Sequence, residues 1–388
     1  MTSLLFAGGG TGGHVFPMIA VADAVRALAP DVELVFAGTA RGLEVKVVPA
    51  RGYVLETLNI APLRGDGLRG AVRGTYLAAR AVVDARALVR RHVPRAVLSV
   101  GGYAAGPIAL AARSLGVPVA LVEPNGAIGL ANRLVAPFVQ RAYIAFPEAE
   151  KHFSRNRTLS TGVPLREGFT PRDYPPGRKP SAFSVLVLGG SQGAESLNRT
   201  VPRSLSRLAG VDVTVVHQCG SGRDAQVRAL YDELGFGERA QVTPFIDDVP
   251  GALGRADLVI GRAGASAVAE LCAVGRPSLL IPYPYAGDHQ RHNAESLERR
   301  GAALCVLTQD ATEARLEAEL RRLERDRGAL AKMAAAARDL GRPAAATMIA
   351  RDLLALAGIA EHGAGIAPGP SNHRQGGART APSLEGAA

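Results

Sequence analysis

The sequence predicts two α/β domains in tandem, each a parallel sheet covered by helices, facing each other across a cleft. Three observations carry this expectation. The chain has 388 residues, 47% of them hydrophobic, which is long and apolar enough for two cores. A strand, a glycine-rich turn and a helix follow one another twice, with starts about 180 residues apart. Beyond each start, short β-branched runs alternate with helical patterns, the rhythm of parallel sheet built from strand–helix–strand units.

The first unit opens with the apolar run Leu4–Ala7, which enters Gly8-Gly9-Gly10-Thr11-Gly12-Gly13; a helical pattern follows over His14–Leu28. Further strand-like runs lie at 32–37, 96–100, 118–122 and 142–146. Residues 164–180 hold five prolines and two glycines, a linker composition. The second unit opens at 184–188, enters Gly189-Gly190-Ser191-Gln192-Gly193-Ala194 and continues as a helical pattern to about Leu208. Its later strand-like runs are 211–216, 256–260, 278–282 and 302–307. Residues 310–357 read as helical, with a break at Gly341–Pro343. The expected division is an N-terminal domain over 1–163, a linker over 164–180 and a C-terminal domain over 181–357, whose last helices could pack back on the first domain. Residues 358–388 are rich in Gly, Pro, Ser and Ala and read as a disordered tail.

Composition removes several classes of protein. With 5% aromatics and no Trp, the cores must come mainly from Ala, Val and Leu. Cys219, Cys272 and Cys305 form no CxxC pair, which argues against a disulfide scaffold and a cysteine zinc site and suits a reducing cytoplasm. The opening MTSLLFAGGGTGGH lacks a basic segment before its short apolar run, so no signal peptide is expected. No apolar run approaches the ~18 residues of a membrane span.

Charge points to an anionic partner. The net charge is +10, and residues 1–180 carry all of it, with 22 basic against 12 acidic side chains. Residues 181–388 hold 23 of each. A phosphorylated substrate, an acidic membrane surface or nucleic acid would each suit the basic half. Nucleic acid is disfavoured, because no recognised binding motif is present and aromatics for base stacking are few. Residues 64–95 carry eight arginines against Asp66 and Asp84, interleaved with Leu68, Val72, Leu77, Val82, Val83 and Leu88. Such a basic amphipathic helix suits an anionic bilayer; its plainer reading is a solvated helix face.

Each glycine turn places backbone N–H groups and a helix N-terminus where an anion can sit. Gly8-x-Gly10-x-x-Gly13 formally fits the dinucleotide fingerprint, yet the second strand ends in Gly38-Thr39 instead of the acidic residue that holds an adenosine ribose. A dehydrogenase is therefore disfavoured, and without GxxxxGK[ST] so is a P-loop enzyme. No D-x-D occurs, so no metal clamp is indicated and neither metal nor cofactor is expected.

Several segments together resemble the MurG family of N-acetylglucosaminyltransferases of peptidoglycan synthesis: GGGTGGHVFPMIAVADAV over 8–25, Ser99–Pro107, Glu123–Asn132, Gly189–Ala194, Phe245–Asp248, Arg262–Glu270 and Asp288–Ala294. The resemblance spans about residues 3–357. It implies the GT-B fold, two Rossmann-like domains across a cleft. It also implies inverting transfer of GlcNAc from UDP-GlcNAc to the C4 hydroxyl of MurNAc in lipid I, an undecaprenyl-diphosphate-linked acceptor. The product would be lipid II, made by a peripheral protein on the cytoplasmic face of the cell membrane.

The resemblance assigns roles as well. Thr11, Gly12, Gly13, Asn125, Arg166, Ser191, Ile246, Glu270 and Gln290 would bind UDP-GlcNAc. Among these, Ser191 and Arg166 would meet the diphosphate, Glu270 the ribose hydroxyls, Ile246 the uracil through its backbone, and Asn125 and Gln290 the sugar. Asp247 and Asp248 fit loop and helix-cap roles better than metal ligation. His289 and Pro124 stand where relatives commonly have Gln, which leaves their roles open. His14 is the candidate general base, since imidazole titrates near neutrality; it could instead orient the glycine loop. A UDP-GlcNAc 2-epimerase on the same scaffold is the rival enzyme, but its acid/base carboxylates are not found.

Overall fold

The structure is a computed structural model that describes residues 2–58, 67–175, 182–190, 193–284 and 288–362, with the backbone alone over 67–79 and at 155. Its first sheet contains β1 (Ser3–Gly8), β2 (Glu33–Thr39), β3 (Val54–Leu58), β4 (Ala96–Gly101), β5 (Val119–Glu123), β6 (Arg141–Ile144) and β7 (Thr158–Ser160). Their order is β3-β2-β1-β4-β5-β6-β7, with every pairing parallel. The second sheet contains β8 (Phe183–Leu188), β9 (Val213–Gln218), β10 (Ala240–Thr243), β11 (Leu258–Gly261), β12 (Ser278–Leu280) and β13 (Ala303–Cys305). It runs β10-β9-β8-β11-β12-β13, again all parallel. Strand order reverses between β1 and β4 and between β8 and β11. In an open parallel sheet the crevice for a ligand lies beyond the strand ends at that reversal.

Around the first sheet lie α1 (Gly12–Leu28), α2 (Glu44–Ala50), α3 (Gly67–His92), α4 (Ala105–Ser114) and α5 (Leu130–Val135). The second half contributes α6 (Glu195–Ser206), α7 (Asp224–Glu233), α8 (Val249–Arg255), α9 (Ala265–Val274), α10 (His289–Arg299), α11 (Glu313–Arg325), α12 (Arg327–Leu340) and α13 (Ala345–Leu356). Strands β1, β4 and β5 are buried along their whole length, because helices cover both faces. Alternation divides β1: Leu4 and Phe6 pack towards α1 and α13, Leu5 and Ala7 towards α3 and α4. In the second sheet Phe183, Val185 and Val187 face α6, α7 and α11, whereas Leu186 faces α8, α9 and α10.

Helix α13 belongs to the first domain's core although it ends the second half of the chain. Ile349, Leu353 and Leu354 are buried against α1, and Asp352 takes hydrogen bonds from Arg141 Nε at 2.9 Å and the Tyr143 hydroxyl at 2.8 Å. The chain then stays packed beyond residue 357. Ile359 joins the same core, the His362 N–H donates to the Leu28 carbonyl at 2.7 Å, and His362 Nε2 pairs with Asp31 at 3.1 Å. Residues 358–362, expected to belong to a disordered tail, are thus packed on the first domain. Residues 363–388 lie outside the described residues.

Three other expectations change in detail. Leu165 and Phe169, within the segment of linker composition, are buried in the second domain's core, and the Arg172 N–H donates to Val274. In α3, Leu88 packs inward with Ala85 and Val89 and is unavailable to a bilayer, whereas Val83 is 65% exposed. The long C-terminal helical stretch also breaks at Asp326, whose carboxylate caps α12 through the Ala329 N–H at 2.8 Å. Among the described residues no helix is long and apolar enough to cross a membrane.

Candidate active site

At the β1/β4 reversal two glycine turns interlock. Gly9 and Gly10 carry φ of +145° and +93°, and Gly101 and Gly102 carry +95° and +91°. A Cβ on Gly102 would stand 2.5 Å from the Gly9 carbonyl oxygen, and one on Gly101 would stand 3.2 Å from the His14 ring. Only glycine meets both the backbone angle and the space. The turn after β1 delivers α1 with its N-terminus at the crevice, where the first N–H groups of a helix lack carbonyl partners one turn back. Thr11 and Gly13 are exposed there, and His14 and Gly12 half-buried. His14 Nδ1 lies 3.4 Å from the Thr11 hydroxyl. Burial lowers the His14 pKa, while the Gly9 carbonyl and the charge of Glu44 act in the opposite direction.

The end of β5 organises the neighbouring loop. Glu123 is fully buried and accepts from the Asn125 N–H at 3.0 Å, the Gly129 N–H at 3.1 Å and the Asn132 amide at 2.9 Å. Burial nonetheless raises its pKa. These bonds hold Asn125 at the rim, where its Oδ1 meets the Asn293 amide of α10 at 3.3 Å.

At the β8/β11 reversal the second glycine loop is clamped from beneath by a neutral amide: Gln218 accepts from the Gly190 N–H at 3.0 Å and donates to its carbonyl at 2.8 Å. Ser191 lies outside the described residues. Arg262 leaves β11 and donates to the Ile281 carbonyl, Thr308 and Ser196, tying α6 to the neighbouring strand ends. Gln290, in the first turn of α10, accepts from the Ala263 N–H at 3.2 Å and the Tyr283 N–H at 3.0 Å, which leaves its amide nitrogen for a ligand. Ile246 packs its side chain against the core, and Asp248 caps α8 through the Gly251 N–H at 2.8 Å. Glu270, on α9, has its carboxyl pushed up to about 7 by burial, with the Arg166 charge acting the other way. Arg166 itself lies over the Phe16 ring of α1 at 4.9 Å. Linker, α1 and α9 therefore meet at one point.

The structure brings Thr11, Gly12, Gly13, His14 and Asn125 to the first domain's edge of the cleft. Arg166, Ile246, Glu270 and Gln290 lie on the second domain's side. The charge of His289, across the cleft, also acts to lower the His14 pKa. His289 Nδ1 and the Ser266 hydroxyl are buried and make no hydrogen bond. Among the described residues no cluster of three or more His, Cys, Asp or Glu side chains forms a metal site. Sequence reasoning missed Glu44, which sits under the first glycine loop, and Asn293, which spans the domains. The signal for Asn293 was present: it is one turn of helix beyond Gln290. Glu44 offered only its place between Gly38, Gly42 and an apolar run.

Two parallel-sheet domains, each presenting a glycine loop and a helix N-terminus to a shared cleft, define the GT-B fold. Comparison with known proteins agrees. Residues 4–144 match the glycosyltransferase family 28 N-terminal domain and residues 184–350 its C-terminal domain. A relative from Sorangium cellulosum is 56% identical over 93% of this chain and 90% of its own length. One from Methylococcus capsulatus is 43% identical over 90% of this chain and 97% of its own. Both are named UDP-N-acetylglucosamine–N-acetylmuramyl-(pentapeptide) pyrophosphoryl-undecaprenol N-acetylglucosamine transferase. The crystal structure of Acinetobacter baumannii MurG superposes with a TM-score of 0.78 at 29% identity, covering 92% of this chain and all of that one. The chain belongs to glycosyltransferase family 28, within the MurG group.

Proposed function

We propose that this chain moves N-acetylglucosamine from UDP-GlcNAc to the C4 hydroxyl of the muramyl sugar of lipid I, forming lipid II for peptidoglycan. The observation that carries the reading is the 56% identity, over 93% of the chain, to a relative named for that transfer. The first domain takes the acceptor and the second the donor. On this reading Ser191 and Arg166 neutralise the diphosphate, Glu270 accepts from the ribose hydroxyls, and the Ile246 backbone meets uracil. Asn125 and the free amide of Gln290 reach the sugar, and the α1 N-terminus at Thr11, Gly12 and Gly13 closes over the donor. The acceptor oxygen attacks the anomeric carbon as its bond to UDP breaks. The electron pair leaves on the β-phosphate oxygen, and the proton passes to His14. A single displacement inverts the anomeric centre.

The N-terminus of α6 and Arg166 take the developing diphosphate charge, so transfer does not absolutely require a divalent ion. Enzyme stripped with EDTA keeps turnover on this account; complete loss restored only by Mg²⁺ would contradict it. The basic first domain meets the membrane. Arg80 and Arg90 are exposed on α3, and on α5 Leu130 and Leu134 are 74% and 62% exposed beside Arg133. Helix α4 packs against both, so the two patches share one side of the domain. Each arginine near an anionic surface contributes about 1 kcal/mol. UDP release from UDP-GlcNAc with a short-chain lipid I analogue tests the reaction: release should need the acceptor, and release at the same rate without it would reject transfer.

A further inference from the structure

The first glycine loop is built around a buried carboxylate. Glu44 has no solvent exposure. One oxygen accepts from the Thr39 N–H and the Thr39 hydroxyl, each at 2.9 Å, and the other from the Gly10 N–H at 2.8 Å. A Cβ on Gly9, Gly38 or Gly42 would fall within 2.7 Å of this side chain. Three glycines thus line a cage just large enough for it. Burial works against the charge, but the donors around it outweigh burial and hold the carboxyl below its ordinary range.

The N–H that Glu44 captures belongs to the Gly9–Gly10 peptide. The carbonyl of that same peptide is Gly9 O, which is packed against Gly102 and favours the protonated His14 ring. One rigid amide plane therefore has the carboxylate on one side and the imidazole on the other. The contrast with the second loop is informative, because Gln218 performs the equivalent clamping of Gly190 with a neutral amide. A buried anion would repel a diphosphate held on the second loop. Beneath the first loop it favours a cation instead, and the cation formed there is imidazolium.

We propose that Glu44 is a positioning residue for the transfer: it fixes the Gly9–Gly10 peptide so that its carbonyl orients His14 and steadies the imidazolium formed on proton abstraction. This rests on His14 being the base. Glu44→Gln keeps the size and the oxygen that serves Thr39. It removes the charge and sets an amide donor against the Gly10 N–H, so the peptide loses its anchor.

The test is a double-mutant cycle of E44Q and His14→Ala, with each variant's fold checked by thermal melting and turnover measured at saturating substrates. E44Q should lower kcat about tenfold or more while changing the dissociation constant for UDP less than about threefold. In the H14A background E44Q should cost almost nothing further, since the residue it serves is gone. Glu44 from α2 and His289 from α10 are the titratable groups acting on His14. Removing the anion should move the acid limb of the pH–rate profile to lower pH. Wild-type kcat in E44Q, or equal losses in both backgrounds, would overturn the proposal and leave His14 as base untouched. Near wild-type turnover in H14A would overturn the base assignment and this proposal together. Should E44Q fail to fold, Thr39→Val, which removes only the hydroxyl bond, carries the same cycle with a loss of the same sign.

Discussion

On the proposed reading, Glu270 is where pH acts most directly on donor binding. Burial lifts its carboxyl to about 7, so the group in the free enzyme is largely protonated below neutrality and charged above it. Ribose hydroxyls donate best to the charged form, and affinity for UDP-GlcNAc should therefore strengthen as pH rises through about 7. Calorimetry across pH 6–8 (roughly one unit either side of that midpoint) checks this; a flat profile, or one that also persists in Glu270→Gln, would contradict it. Glu270→Ala should weaken donor binding by about ten- to a hundredfold, the worth of hydrogen bonds to a charged group at about 1.5–3 kcal/mol. Such side chains were legible in the sequence only through motif resemblance. An isolated Glu on a helix carries no signal of its ligand, and the burial that shifts Glu270 arises only once the chain is folded.

The elements were legible in proportion to how completely they are buried. Central strands β1, β4, β5, β8 and β11 are apolar runs because helices cover both faces. The strands absent from the sequence reading are β3, β7 and β10, and each lies at a sheet edge. Edge strands are short and half-exposed, so VLETL, TLS and AQVT lack the continuous apolar signature. The interlocked turns make a direct test. Gly102→Ala drives a Cβ to 2.5 Å from the Gly9 oxygen and strains a positive φ, which should destabilise the fold by about 1–3 kcal/mol and lower turnover through His14. Unchanged urea denaturation and kcat would show that the turns yield freely. Helix α13 makes another. Leu353 is fully buried in the first domain, so Leu353→Ala should cost about 2–5 kcal/mol despite its place at the far end of the chain.

Helix α10 bridges the two domains through contacts that join residues far apart in sequence, which no local pattern reveals. Asn293 accepts from the Gly126 N–H at 3.0 Å and donates to the Ala263 carbonyl at 3.0 Å, bridging both cleft walls. One turn on, Glu148 accepts from Ser296 at 2.8 Å and Arg299 at 3.0 Å. The same helix begins with His289 and Gln290, so the element proposed to meet the donor also bridges the domains. Glu148→Ala should loosen this contact, seen as a larger radius of gyration by small-angle scattering without ligand, with donor KM raised more than kcat is lowered. An unchanged scattering profile would show that the contact does not hold the cleft.

On the proposed function, the cleft performs one inverting transfer to a lipid-linked sugar. Proton NMR of a mixture of enzyme, UDP-GlcNAc and a short-chain lipid I analogue tests it most directly. The anomeric signal of the donor should disappear only when the acceptor is present, and a β-linked GlcNAc signal on the C4 oxygen of the muramyl sugar should replace it. Loss of donor without acceptor and appearance of a C2-epimerised sugar, or formation of an α-linked product, would contradict the account.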